Sequence, residues 1–472
     1  MGDLGRHAMP ESLWLSFFQV KSVGDETNVQ IIQSDDGIAQ EEYTDPSRAH
    51  HMFHILDKTR FISSAVVSPK NVADVQEIIK PANEFETSAW PFFKGRNVGY
   101  GGAAPRVPGS LGIAMGKNMD RVLKIDTENV YALLEPGVSY LDLHEYLVKH
   151  NFRWFTLHWD GRFAEPKADK SKPPHEQEPN ESWQLFDYSI DPHSAGIFSQ
   201  SSLGIVVKMG IWLMPNPGGY QAYMITFPRD KDLDQIVEIL QPLRISGVIQ
   251  NTPKLENVLV SVALQSHGSD STNSNNPLTD LELDEIVKTL NVGRRNLYGA
   301  TYGPLVIRNA LWSVIKACFS KILGARFYFP EDRPCDIVLQ TTSDTTQAWG
   351  HLFFSSIAKG FDFIGVFVVG AREMHHIVCI LFDRKDPDLR HRAYKLIQVL
   401  IAKAASRSWR EYRAHLALMD QITESHSFDK NAQMQLNEKL KNTLDPKGIL
   451  CPGKNGIWPA NNRKEDWCLH RS

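Results

Sequence analysis

The residues best suited to chemistry by type and spacing lie in the run Gly95-Arg96-Asn97-Val98-Gly99-Tyr100-Gly101-Gly102-Ala103-Ala104-Pro105. A loop this rich in glycine lets successive backbone N–H groups approach an anion such as a diphosphate. It is not the G-x-G-x-x-G pattern that opens a helix, because Pro105 and Pro108 follow, so a Rossmann-type nicotinamide site is disfavoured. By residue type alone, Tyr100 reads as a half-buried aromatic in a turn. The adjacent Tyr412-Arg413 reads as a surface helix end, and His351, in Trp349-Gly350-His351-Leu352-Phe353-Phe354, as a core histidine. Five widely spaced cysteines contain no C-x-x-C pair or His-Cys cluster, so no metal site is expected and the thiols read as reduced.

The elements that must position these residues are legible as alternating patterns. Phe61 to Ser68 reads as a buried strand, followed by a helix in which Asn71 and Asp74 resemble a capping box and Val72, Val75, Ile78, Ile79, Ala82 and Phe85 recur at helical spacing. Pro81 inside that helix should kink it. Val122 to Asp126 and Val130 to Glu135 read as strands, and Ser139 with Asp142 as the cap of a following amphipathic helix. The charged, Pro-rich stretch from 162 to 182 reads as a surface connection, and Pro215 to Gly219 as a boundary. Beyond it, helices on Leu233, Ile236, Val237, Leu240 and on Leu283, Ile286, Val287, Leu290 alternate with strand-like runs at Tyr223 to Phe227, Val258 to Ala263 and Phe363 to Val369. Helices over one antiparallel sheet fit that order, an α+β class.

Several longer motifs occur in a fixed order. They are Trp90-Pro91, the Gly95 to Pro105 loop, Met115-Gly116-Lys117-Asn118-Met119, Glu135-Pro136-Gly137-Val138 and Phe198-Ser199-Gln200 through Val206. Trp212 through Tyr220, Phe327 through Asp332, Glu373 through Cys379 and Pro452-Gly453-Lys454 continue the series. With these motifs the chain resembles the vanillyl-alcohol oxidase and 4-cresol dehydrogenase family of FAD-linked oxidases, over most of residues 60 to 467.

The resemblance implies a PCMH-type FAD-binding domain over residues 1–217, a cap or substrate domain over 218–408, and a return to the FAD-binding domain over 409–472. It implies FAD as cofactor and oxidation of para-substituted phenols, with hydride passing to flavin and electrons to oxygen as hydrogen peroxide. Tyr100, Tyr412 and Arg413 match the family's phenolate-binding set. Gly95, Arg96, Asn97, Gly99, Gly101 and Gly102 match its cofactor loop. His351 matches the histidine that links covalently to the flavin. His50, His51 and His54 are candidates for the group that takes the proton of His351, with His54 favoured. A small phenolic substrate, molecular oxygen and further copies of this chain are the partners so implied.

Two departures stand against these matches. After the Ser139 to His150 helix the family carries a second glycine-rich stretch and an aspartate beside the flavin; here the chain passes through Asp160-Gly161-Arg162 into the charged connection. Asp160 is the candidate for that aspartate. A cap helix is missing where Lys359 runs into Gly360. A catalytically silent relative with weak FAD binding is therefore one alternative, and a flavin dehydrogenase with a protein electron acceptor is another.

The 51 basic and 55 acidic residues give a net charge of -4, with no footprint for nucleic acid or an anionic membrane. No signal core or span of about eighteen apolar residues is present, and the Leu469-His470-Arg471-Ser472 tail is not Ser-Lys-Leu. Cytosol, with peroxisome as the alternative, is the expected compartment.

Overall fold

The computed structural model describes residues 30–32, 63–94, 103–152, 154–156, 163–164, 195–215, 217–260, 279–329, 362–370, 373–381, 386–411 and 415–462. The chain divides into two compact units, one of Met1–Met214 with Tyr394–Ser472 and one of Pro215–Ala393.

The first unit opens with β1 (Gln30–Ile32), β2 (Ala65–Ser68), helix α1 (Val72–Glu84), β3 (Ala89–Phe92) and β4 (Leu111–Ala114). These strands form one sheet in the order β1-β2-β4-β3, in which β2, β4 and β3 run parallel and β1 is antiparallel to β2. Asn71 starts α1 by accepting the Asp74 N–H at 2.9 Å, and Asp74 reaches back to the Lys70 N–H rather than to Asn71. The helix runs on through Pro81 to Glu84, so the expected kink does not end it. Successive strand residues face opposite sides. Val67, Leu111 and Ile113 therefore pack with Val75 and Ile78 of α1, while Val66 and Phe92 point the other way.

A second sheet uses β5 (Val122–Asp126), β6 (Tyr131–Leu134), β7 (Trp154–Thr156), β8 (Phe163–Ala164) and β9 (Met209–Pro215), in the order β5-β6-β9-β7 with β8 also on β9. Helix α2 (Tyr140–Lys149) covers it through Leu143 and Leu147. Its capping box is complete: the Asp142 N–H donates to Ser139 Oγ at 3.2 Å and the Ser139 N–H to the Asp142 carboxylate at 2.7 Å. The short α3 (Ala195–Phe198) precedes β9.

The second unit is a six-stranded sheet with helices on one face. Its strands are β10 (Tyr220–Phe227), β11 (Lys254–Asn257), β12 (Arg295–Tyr302), β13 (Arg326–Tyr328), β14 (Asp362–Val369) and β15 (Met374–Leu381), ordered β13-β10-β12-β11-β14-β15 with antiparallel neighbours. Helices α4 (Leu233–Ile245), α5 (Asp280–Leu290) and α6 (Leu305–Phe319) complete it. Ile236, Leu240 and Leu243 of α4 and Ile315 and Phe319 of α6 pack on Tyr223, Ile225, Leu255 and Leu297. The periodic face of α5 is only half-buried. One expected strand is corrected: Val258–Val260 is helical, and the ladder ends at Asn257. There the Val258 N–H makes a last bond across to Arg294 O, and the Asn257 side chain accepts the Val260 N–H, a local turn bond that displaces the strand that β-branched residues favour.

Helix α7 (Pro387–Ser406) leads the chain back into the first unit, where α8 (Met419–Ser425) and α9 (Phe428–Leu444) follow. Leu416, Leu418, Met419 and Ile422 pack on Val66, Trp90, Phe92 and Ala114, the face of the parallel sheet opposite α1. No helix among the described residues is long and apolar enough to cross a membrane.

Candidate functional site

The parallel strands β2, β4 and β3 end on one edge, the usual place for a ligand in an open parallel sheet. β3 delivers the chain to Lys94 and the glycine loop, and β4 runs into Met115-Gly116-Lys117-Asn118-Met119. The two exits lie against each other: a Cβ on Gly116 would stand 2.6 Å from Lys94 N. A Cβ on Gly137 would stand 2.6 Å from Gly116 O, and the Gly137 N–H donates to Met119 O at 2.7 Å. The motifs around 115–119 and 135–138 are thus two halves of one backbone contact. The buried Glu135 carboxylate closes it by accepting the Arg121 backbone N–H at 2.9 Å and its guanidinium at 2.8 and 3.1 Å. Burial alone would raise the Glu135 pKa, but these Arg121 bonds hold it below the ordinary value.

Two buried hydroxyls in this unit fit a polar ligand. Ser68 Oγ, at the end of β2, and Ser202 Oγ have no hydrogen-bond partner among the described residues, although the residues are 0 % and 2 % exposed. The chain invests bonds in holding both positions, since the Asn118 side chain donates to Ser68 O at 3.0 Å and Lys441 Nζ to Ser202 O at 2.8 Å. Buried polar atoms are normally satisfied, so hydroxyls left over suit the oxygens of a bound diphosphate or ribose.

All the site residues expected from sequence lie outside the described residues: Gly95, Arg96, Asn97, Gly99, Tyr100, Gly101, Gly102, Asp160, His351, Tyr412, Arg413, and His54 with His50 and His51. The ends of the two segments that carry Tyr100 and Tyr412-Arg413 are described, and they enter one hydrophobic cluster. Ala103 and Ala104 share it with Leu416, Ala417, Leu418 and Met419.

Beside that cluster lies a buried polar network that the sequence reading did not single out. Arg106 forms an ion pair with Asp420, both side chains sealed from solvent. Arg106 also donates to Gly453 O at 3.2 Å and lies over the Trp458 ring at 5.2 Å, while Trp458 Nε1–H donates to Asp420 at 3.0 Å. Gly453 has φ of 74° and a Cβ there would stand 2.5 Å from the Trp458 ring, so the Pro452-Gly453-Lys454 motif needs its glycine. His415 accepts the Ala417 N–H through Nδ1 at 3.2 Å. Burial and then the Arg106 charge push its pKa down to about 4, so the imidazole is neutral near pH 7. A single arginine within Ala103-Ala104-Pro105-Arg106-Val107-Pro108 was the available sequence signal. A charge in an apolar run has to find a buried partner.

Comparison with known proteins agrees with this arrangement. Residues 63–160 match the FAD binding domain family, and residues 353–455 match the family described as FAD linked oxidases, C-terminal domain. The chain is 26% identical over 462 residues to the flavoprotein subunit of 4-cresol dehydrogenase (hydroxylating) from Pseudomonas putida, covering 84% of this chain and 88% of that protein. Among solved structures it resembles 4-ethylphenol oxidase from Gulosibacter chungangensis in complex with isoeugenol. That match has a TM-score of 0.82 and 28% identity, and covers 97% of this chain and 99% of the other. The fold of p-cresol methylhydroxylase with substrate bound also superposes with a TM-score of 0.82, at 23% identity, over 96% of this chain and 99% of that one. The sheet edge, the leftover hydroxyls and these likenesses agree: the chain carries an FAD binding domain and the C-terminal domain of FAD linked oxidases, and is an oxidoreductase with FAD as its cofactor.

Proposed function

We propose that this oxidoreductase acts on para-substituted phenols, 4-hydroxybenzyl alcohols or 4-alkylphenols, and removes hydride from the substituent carbon para to the hydroxyl. The likeness to a 4-ethylphenol oxidase across 97% of this chain carries the reading. Retention of Tyr100, Tyr412 and Arg413 in the sequence supports it further.

Bound FAD supplies the hydride acceptor. Backbone N–H groups of Gly95, Arg96, Asn97, Gly99, Gly101 and Gly102 would hold its diphosphate. His351 is the proposed point of covalent attachment, with His54 taking the proton its imidazole must lose. A phenol has a pKa of about 10, so hydride leaves readily only once the oxygen is an anion. Tyr100 and Tyr412 would donate their O–H, and Arg413 its N–H groups, to that oxyanion, whose charge they stabilise most as the barrier is crossed. Asp160 is assigned the place of the family's catalytic aspartate. In this reading oxygen takes the electrons and leaves as hydrogen peroxide, and the protein works as a homo-oligomer.

A second reading keeps the same substrate chemistry and passes electrons to a carrier protein. Similarity to a dehydrogenase flavoprotein subunit over 84% of this chain favours it. Peroxide release under air separates the two.

The test is the visible absorption spectrum of the purified protein, before and after acid precipitation, followed by anaerobic vanillyl alcohol. A flavin band that bleaches with substrate is expected. A colourless protein, or a band indifferent to phenols, would overturn the proposal and leave a silent relative that keeps the scaffold.

A further inference from the structure

Helix α6 carries an apolar row that its own unit leaves uncovered. Of its fifteen residues only Arg308, Ile315 and Phe319 are buried. Val306 is 79 % exposed and Val314 45 %, Ala310 between them is exposed, and Leu305 and Ile307 stand about half in solvent. A spacing of four places Val306, Ala310 and Val314 in one row along the helix. β-branched side chains lose rotamer freedom in a helix, so exposed helical positions are better filled by Ala, Glu, Lys or Gln. Val306, Ile307 and Val314 are therefore explained by burial against a partner.

Charge and symmetry indicate which partner. Arg308 is turned inward, donating from Nε to Gly303 O at 2.7 Å and from Nη1 to Gln221 Oε1 at 3.3 Å. Lys316 Nζ, on another side of the helix, lies over the Phe327 ring at 5.9 Å. Ser313, on the flank of the row, satisfies its hydroxyl by donating to Asn309 O at 2.8 Å. The row thus carries no charge, and a charged electron carrier or an anionic lipid surface finds no counter-charge on it. A second copy of the same neutral row matches it. Val306 and Val314 also stand four residues to either side of Ala310, so the row turned end for end coincides with itself. A two-fold contact requires that self-complementarity, and the small side chain at its centre lets two helices approach closely.

We propose that two copies of this chain pair through this row, their α6 helices antiparallel about a two-fold axis at Ala310, with Val306 of each copy against Val314 of the other. Rows spaced by four residues interdigitate in the commonest class of helix packing. The contact rests on the homo-oligomer reading above and gives it a surface; the phenol chemistry is independent of it.

The experiment is sedimentation velocity on the full chain with its FAD, over a dilution series, for wild type, Val306→Asp, Val314→Lys and the double variant. Wild type should sediment as a dimer or an even multiple of one. Each single variant buries two unpaired charges at the contact, one from each copy, and should raise the dissociation constant by about a thousandfold. In the double variant each new carboxylate faces a new ammonium across the axis, so association should recover by about tenfold or more over either single variant. The substituted positions face solvent in the single copy, so the flavin spectrum should stay unchanged throughout.

Single variants that associate as wild type does overturn this surface and leave a homo-oligomer joined elsewhere. Dissociation in both single variants without recovery in the double variant overturns the antiparallel register about Ala310. A monomeric wild type overturns the homo-oligomer reading and this contact together; sedimentation of that monomer with phosphatidylglycerol vesicles would then assign the row to a lipid surface. Should Val306→Asp fail to fold, Val314→Lys and Ala310→Gln at the crossing point carry the same test.

Discussion

Lys441 Nζ lies 2.7 Å from the Asp445 carboxylate at the end of α9, with both side chains sealed from solvent. The ammonium also donates to Ser202 O at 2.8 Å and to Leu450 O. The carboxylate accepts the backbone N–H groups of Ile449 and Leu450 at 3.0 and 2.8 Å. One buried lysine thus joins α9, the Ser202 turn and the strand-like Leu450, which bridges in parallel to Ala89 of β3.

Removing one partner of a buried pair leaves the other charge without compensation, a cost of about 3–5 kcal/mol. Lys441→Met should therefore lower stability by about that amount in urea unfolding, and should release bound FAD sooner on heating because the Ser202 turn loses its anchor. A loss under about 1 kcal/mol would mean that Asp445 finds another cation or water in the variant.

Glu256 should make stability depend on pH in an unusual direction. It lies in β11 opposite Asn296 and Val366, is 5 % exposed, and burial pushes its pKa from 4.5 to about 7 against the pull of Lys254. The folded state then holds a proton that the unfolded state has released, so stability falls as pH rises from about 4.5 to 7 and the full cost is present above that. The shift corresponds to about 3 kcal/mol at its upper bound. Glu256→Gln should gain stability over wild type at pH 8 and match it near pH 4, as measured by thermal melts across that range.

Gly453→Ala places a methyl group against the Trp458 ring in a backbone conformation that alanine disfavours. A loss of about 1–3 kcal/mol is expected. Trp458 fluorescence should also shift, because the ring can yield only by loosening its bond to Asp420.

If phenols are the substrates, Arg413→Met should reduce kcat/KM by about a hundred- to a thousandfold, as loss of an oxyanion donor does elsewhere. Tyr412→Phe should follow in the same direction. Neither variant should matter for a substrate whose phenol oxygen is methylated, and wild type should oxidise that compound poorly. Equal turnover of the phenol and its methyl ether would sink the phenolate assignment.

His351→Ala should release flavin into the supernatant on acid precipitation, whereas wild type should keep its flavin with the pellet. Flavin still attached in the variant would show that another residue forms the link.

Local chemistry made much of this protein legible from sequence. The cap of α1 at Asn71 and the Ser139–Asp142 box of α2 rest on residues within three positions of each other. The strands at Val122 to Asp126 and over Tyr223 to Phe227, the second beginning earlier at Tyr220, follow from the composition of a few consecutive residues. The helical spacing of Ile236 and Leu240 likewise marks the face of α4 that enters the core. The ordered motifs, and with them the likeness to FAD-linked oxidases, are also properties of the chain as written. Tertiary contacts decided the rest. Val258 to Val260 has the composition of a strand and is helical where pairing with β12 ends, the Val258 N–H bonding Arg294 O and the Asn257 side chain taking the Val260 N–H. The motif glycines at 116 and 137 are explained by a backbone crossing between them that no spacing rule describes. The joining of Arg106 to Asp420, and of Lys441 to Ser202, spans 314 and 239 positions. A buried charge requires a partner, but the sequence states only the requirement; which partner meets it is set by how the sheet, its carboxyl edge and the returning C-terminal segment pack together.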